Sequence, residues 1–259
     1  MNLLHSNSIG DSGQDLVILH GFLGMSDNWK THAKNWAKMG YRVHLIDQRN
    51  HGRSFWSNDF SYELMADDLA RFCEVHGLKN ILLLGHSMGG KTALYFACQY
   101  PKLLKALVVA DIAPKKYEPH HQKILKGLSE LDFDQIKSRG DADVLLSKYV
   151  PEPGVRMFLL KNLYWVDPGK LGLRINIDVL KNASEAIGEN LSNTSRSEHP
   201  CLFVKGALSD YILDTDLPIL RHYFPKAELV TIPDAGHWLH AEKPKLFFET
   251  VSRWLSNHR

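Results

Sequence analysis

Residues 81–90 read ILLLGHSMGG: four apolar residues run into a glycine, and a serine then stands between Gly85 and Gly89. Gly-x-Ser-x-Gly at the end of a buried strand and the start of a helix marks a turn so sharp that side chains beside the serine would collide. Such a turn needs a strand covered on both faces and a helix folded back against it, which few architectures offer. The five letters alone are weak, since glycine and serine at about 7% each give the pattern by chance in roughly one chain of this length in ten. Context strengthens them, because LLL precedes and the helix-compatible KTALYFACQ follows at residues 91–99. The expectation is an activated nucleophile at Ser87; the bland alternative is an ordinary strand-to-helix turn.

The rest of the chain supplies a matching sheet. LVILH at residues 16–20, YRVHLID at 41–47 and KALVVAD at 105–111 are apolar runs suited to strands buried on both faces. Residues 1–8 are expected as an edge strand. Between the runs, Trp29, Ala33, Trp36 and Ala37 form one helical stripe, and Met65, Leu69, Phe72, Cys73 and His76 another. Ser26 or Asp27 and Ser61 are the expected caps, Gly40 and Gly77 the stops, and Pro101 ends the helix behind the serine. Strand and helix thus alternate from residue 16 to 111, which predicts an α/β fold with a mostly parallel central sheet flanked by helices.

From residue 113 to 200 the alternation lapses. HHQKILKGLSEL, DADVLLSKYV, GVRMFLLKNL and NIDVLKNASEAIGENL all carry helical spacing, with no convincing buried strand among them. The stretch is far too long for a loop and predicts a helical cap inserted between core segments 1–112 and 201–259. The sheet resumes with CLFVKG at residues 201–206. A helix over 217–224, the strand ELVTI at 228–232 and a helix opening at Pro244 follow.

Composition removes several function classes. With 259 residues, a net charge of +2 and both signs interspersed, the chain fits one sizeable domain and carries no signal for nucleic acid or an anionic membrane as partner. Cys73, Cys98 and Cys201 lack metal-like spacing and read as buried thiols. Neither a secretory leader nor a run long enough to span a bilayer is found, so a cytoplasmic location is expected. Oligomeric state is not readable.

A serine hydroxyl needs a base. His237, in PDAGHWLHAEKP directly after the last strand, arrives at the sheet edge where Ser87 stands. His240 is the rival, expected to turn toward the next helix or the surface. For the acid that orients the base, two aspartates compete. Asp111 ends the strand after the serine's helix, and Asp210 closes GALSD, one residue beyond the G-x-x-D offset at which Ser209 stands. A one-residue shift redirects a side chain, so Asp111 is favoured, with Ser209 assisting and Asp210 the alternative. Backbone N–H groups of Phe22, in the turn after His20-Gly21 of HGFLG at residues 20–24, and of Met88 are the expected oxyanion donors. No metal or organic cofactor is expected, and adjacent His120 and His121 cannot converge on one ion from a helix.

With HGFLG, DQRNHGRS at residues 47–54, GHSMGGK at 85–91, DIAP at 111–114 and GHWLHAEKP at 236–244 in this order, the chain resembles the α/β-hydrolase superfamily. The wording is most similar to the YbfF-type small-capped carboxylesterases. That resemblance implies a serine hydrolase acting on short- to medium-chain esters, and on acyl thioesters, with the acid at Asp111 and a serine at position 209. Same-fold alternatives are a carbon–carbon bond hydrolase, a lyase or a perhydrolase, and a different class is a small-molecule receptor with little turnover. In DQRNHGRS, bracing of the turn by Asp47 and Arg49 is favoured over substrate contact by Arg49 or His51. Leu23, Tyr117, Phe158, Trp165, Tyr211 and Trp238 are candidates to line the substrate pocket.

Overall fold

The structure, a computed structural model, describes residues 2–259, so the first residue of the stretch 1–8 lies outside it. In chain order, β1 (Ser6–Ile9), β2 (Gln14–Leu19), α1 (Lys30–Lys38), β3 (Tyr41–Ile46), α2 (Tyr62–Val75), β4 (Ile81–His86), α3 (Met88–Gln99) and β5 (Leu104–Ala110) realise the expected alternation. Every residue of β4 is buried, because its two faces meet different helical layers. Along β2, Leu16 and Ile18 pack with Trp29, Trp36 and Phe247, while Val17 and Leu19 pack with Leu69 and Phe96 on the other side. Two apolar faces explain why these strands read as unbroken apolar runs.

Ser61 caps α2 by accepting the Leu64 N–H at 3.3 Å. At α1 the expected cap fails: Ser26 and Asp27 lie inside a 3-10 turn (Ser26–Trp29) that leads into the helix. Gly40 ends that helix at φ +83°, a conformation other residues adopt at a cost.

Between β5 and the next core strand come α4 (Gln122–Ser129), α5 (Arg139–Leu146), α6 (Pro153–Leu160), β6 (Leu163–Asp167), β7 (Lys170–Leu173), α7 (Ile177–Leu180) and α8 (Ser184–Gly188). The antiparallel β6–β7 hairpin has no counterpart in the sequence reading. β6 is only five residues long, and its apolar run LYWV turns mostly to solvent, so it does not read as a buried strand. Residues 176–191 form two short helices rather than one. Asn182 marks the break, its side-chain amide donating to the Asp178 carbonyl at 3.0 Å.

β8 (Cys201–Gly206), α9 (Leu217–Tyr223), β9 (Ala227–Ile232), α10 (Leu239–Glu242) and α11 (Pro244–Ser256) complete the chain. The seven-stranded sheet has the order β1-β3-β2-β4-β5-β8-β9, with β1 antiparallel to its neighbour and all other pairings parallel. Parallel strands bring their carboxyl ends to one edge, where β2, β4, β5 and the loop after β9 converge. Among the described residues no helix is long and apolar enough to cross a membrane.

The segment between β5 and β8 is fastened to α2 and α3 at its base. Four consecutive carbonyls, 187 to 190, are each taken by a donor. The Tyr62 hydroxyl donates to Ile187 at 2.7 Å, the Tyr117 N–H to Gly188 at 2.9 Å, the Lys91 ammonium to Glu189, and the Tyr95 hydroxyl to Asn190 at 2.6 Å. Lys91 also donates to the Lys115 carbonyl at 2.6 Å, so one side chain ties both ends of the segment to the helix behind Ser87. It is wholly buried, and that burial pulls its pKa down to about 7.

Candidate active site

Ser87 has φ 52° and ψ −118°, a strained backbone held by its surroundings. A methyl group on Gly85 would stand 2.2 Å from the Gly89 carbonyl, and one on Gly89 would stand 2.5 Å from the carbonyls of Leu19 and His20. The two glycines therefore let β4, α3 and β2 close around the serine. The Ser87 N–H donates to Ala110 at 3.0 Å, locking the turn to β5.

His237 Nε2 lies 2.9 Å from Ser87 Oγ, and its Nδ1 lies 2.8 Å from Asp111 Oδ2. A carboxylate at Nδ1 makes that nitrogen the donor, which leaves Nε2 to accept from the serine hydroxyl. Asp111 is wholly buried. Its Oδ1 accepts the Gly206 N–H at 3.1 Å, and its Oδ2 also accepts the Ser209 hydroxyl. Asp210 is exposed on the same turn, and the carboxylate against His237 is Asp111's. Asp111, Ser209, His237 and Ser87 are thus brought together; Asp210 is not.

The loop bearing His237 is held on several sides. Glu242 accepts the Gly236 N–H at 2.7 Å and the Trp238 N–H at 3.2 Å, and His86 Nε2–H donates to the His237 carbonyl at 2.9 Å. Tyr211 stacks on the imidazole with ring centres 3.9 Å apart and planes 18° from parallel. Its hydroxyl donates to His120 Nε2, whose Nδ1–H is committed to the Glu118 carbonyl at 2.9 Å.

At the turn after β2, His20 Nδ1–H donates to the Gly21 carbonyl at 2.8 Å, and its Nε2 accepts the Gln48 N–H at 3.0 Å. His51 Nδ1–H donates to the Arg49 carbonyl at 2.9 Å, freeing Nε2 to accept the Leu23 N–H at 3.2 Å. Burial lowers the pKa of His20, and holds that of His51 at about 3, so His51 stays a neutral acceptor across the working range. Leu23 itself sits at φ 59°. Among the described residues no acceptor takes the Phe22 N–H, and Met88 opens α3, where helix geometry leaves N–H groups without internal partners. Asp47 accepts the N–H groups of Ser26 at 2.6 Å and Arg53 at 2.9 Å, while Arg49 pairs with Asp68 at 2.6 Å. The DQRNHGRS loop is a brace, and His51 extends it to the turn at Leu23. His51→Leu is therefore expected to lower kcat about tenfold, because the turn carrying the Phe22 N–H shifts. Steady-state kinetics on a p-nitrophenyl ester would check this.

Two cavities meet at Ser87. The larger, of about 960 Å³, is walled in part by Leu23, Phe158, Tyr211, His237 and Trp238. The smaller, of about 20 Å³, is bounded by Met88, Tyr117 and Tyr211 among others. Trp165 is the exception among the pocket candidates. It stands 58% exposed on β6 and lines neither cavity. His240 is buried, not turned to the surface; it stacks on Trp29 at 4.3 Å, and burial holds its pKa at about 3. His120 and His121 precede α4 rather than lying within it, have ring centres 4.0 Å apart with planes tilted by 37°, and line both cavities. His86, Glu242 and His121 escaped the sequence reading. The one available signal was that His86 and Glu242 fall inside motifs already singled out.

The arrangement is suited to acyl transfer: a serine, an imidazole with one nitrogen aimed at it, and a buried Asp111 side chain behind the other. Residues 16–139 match the family model described as alpha/beta hydrolase fold. The chain is 37% identical to the sn-1-specific diacylglycerol lipase ABHD11 of Mus musculus over 93% of its own length and 80% of the relative's. It is 30% identical to Esterase YbfF of Escherichia coli (strain K12) over 98% and 95%. A solved structure, a marine microorganism esterase, superimposes with a TM-score of 0.94 at 43% identity, covering 98% of this chain and 99% of that one.

Proposed function

The chain belongs to the α/β-hydrolase family, among its esterases and lipases, and on that premise we propose that it cleaves short- to medium-chain carboxylic esters through an acyl-enzyme on Ser87. The observation that carries this reading is the unbroken hydrogen-bonded line from Ser87 Oγ through His237 to Asp111, opening into both cavities. His237 takes the Ser87 proton as Oγ attacks the carbonyl carbon, and the Phe22 and Met88 N–H groups receive the oxyanion. His237 then protonates the leaving alcohol. A water deprotonated by the same imidazole releases the acid, and acyl thioesters would follow the same steps. Asp111 keeps the imidazole in the required tautomer, with Ser209 fixing the carboxylate. Residues 113–200 act as a cap whose side chains roof the site, among them His120, His121 and Phe158. The names borne by the relatives, esterase and lipase, support the ester as substrate.

A fluorophosphonate probe tests the reading. The folded protein should be labelled on Ser87, and Ser87→Ala should abolish both labelling and ester hydrolysis. Folded wild-type protein that resists the probe would overturn the assignment.

A further inference from the structure

The two cavities differ in size and in which catalytic groups they border. His237 lines the large cavity and not the small one; Met88 lines the small cavity and not the large one. Ser87 and Phe22 border both. Resting on the serine-hydrolase reading above, we infer that the substrate is an ester of a very short acyl group, acetyl or propionyl, with a large apolar alcohol.

The orientation follows from proton transfer. When Ser87 Oγ bonds to the carbonyl carbon, the bond that must break is the one to the alkoxy oxygen. That oxygen has to receive from His237 Nε2 the proton just taken from Ser87. The alkoxy group therefore lies on the His237 side, in the cavity of about 960 Å³. The oxyanion occupies the Phe22 and Met88 N–H groups. The remaining substituent on the carbon, the acyl chain, is directed past Met88 into the cavity of about 20 Å³.

Size and rigidity set the limits. On the same measure that gives the large cavity about 960 Å³, the small one has about 20 Å³, a little above the roughly 10–15 Å³ that one water needs, so it suits a small acyl substituent beside Ser87. Its walls do not yield easily. Tyr62 and Ile112 are buried, the Tyr62 hydroxyl is tied to the Ile187 carbonyl at 2.7 Å, and the Tyr117 hydroxyl is tied to the Tyr211 carbonyl at 2.6 Å. The large cavity presents Ile124, Val155, Met157, Phe158 and Trp238, a wall for hydrocarbon. The first half-reaction releases the long alcohol carrying the serine's proton. In the second, water adds to the small acyl group, and Ser87 regains its proton as acetate or propionate leaves.

Two isomeric esters of equal hydrophobicity, decyl acetate and ethyl decanoate, separate the orientations. Decyl acetate should be hydrolysed with kcat/KM about tenfold or more above ethyl decanoate. Ile187→Ala, which enlarges the small cavity, should raise kcat/KM for ethyl decanoate severalfold and narrow the ratio. Equal rates, a preference for ethyl decanoate, or turnover of neither ester by a chain whose Ser87 is labelled by fluorophosphonate would overturn the inference while leaving the nucleophile standing. Failure of labelling together with failure of hydrolysis would instead remove the serine-hydrolase reading beneath it.

Discussion

Asp111→Asn should lower kcat by roughly three to four orders of magnitude, whereas Asp210→Asn should leave it within about twofold. The reason is the tautomer. Asp111 accepts the Nδ1–H of His237 at 2.8 Å, which keeps the Nε2 lone pair facing Ser87 Oγ at 2.9 Å. An asparagine amide turned toward Nδ1 donates instead, so the imidazole proton moves to Nε2 and the base can no longer accept from the serine. The substitution should not unfold the chain. Asparagine tolerates the φ of 53° found at position 111, its carbonyl oxygen at the Oδ1 position can still accept the Gly206 N–H, and the Ser209 hydroxyl can turn to accept from the amide that replaces Oδ2. Asp210 lies exposed, and its change removes only a surface charge. Steady-state kinetics on p-nitrophenyl acetate, with thermal melting of each variant as a control for folding, decides the matter. Comparable losses in both variants would mean that the acid had been misassigned.

The same pair of aspartates marks where the sequence stops being legible. Strands β2, β4, β5 and β8 announce themselves because burial on both faces demands unbroken apolar runs. Ser87 follows β4 and His237 follows the half-exposed edge strand β9, and both turns lie at the carboxyl edge of a parallel sheet, so their convergence is legible from connectivity. Which aspartate meets His237 depends on a finer matter, the positive φ at Asp111 that turns a buried side chain across to the loop after β9. No spacing rule encodes that dihedral. The β6–β7 hairpin is hidden for a different reason: its strands are five and four residues long, pair only with each other in their sheet and, in β6, turn apolar residues mostly to solvent. Trp165 misled on the same ground, being aromatic and placed in the inserted segment yet directed outward. His86, His51 and Glu242 act on backbone groups of the catalytic loops, and a side chain serving a distant N–H or carbonyl has no signature in its own neighbourhood.

Lys91 is the extreme case, since in the sequence it reads as an ordinary cation one turn into a helix. Its burial predicts a pH dependence that a surface lysine would lack. Relative to Lys91→Met, the wild-type protein should gain on the order of 2 kcal/mol of stability between pH 7 and pH 9. The sign is fixed by the two pKa values. In the folded chain the ammonium gives up its proton at about 7, because burial disfavours its charge. In the unfolded chain it does so near the ordinary lysine value of about 10.4. Between these limits the unfolded state binds more protons, so stability rises with pH; below pH 7 the full penalty of a buried charge is present. Methionine has no such charge and no such slope. The ties to Lys115 and Glu189 survive deprotonation, because a neutral amine still has hydrogens to donate. The thioether of the Lys91→Met variant would leave both carbonyls without that donor, at about 1–3 kcal/mol each if they stay dry. The variant should therefore be less stable than wild type at pH 9 and closer to it at pH 7. Thermal melting of both proteins at pH 7, 8 and 9 measures the difference. Parallel curves would show that the position 91 side chain does not titrate in this window, and that the tie at the base of the inserted segment is an ammonium throughout.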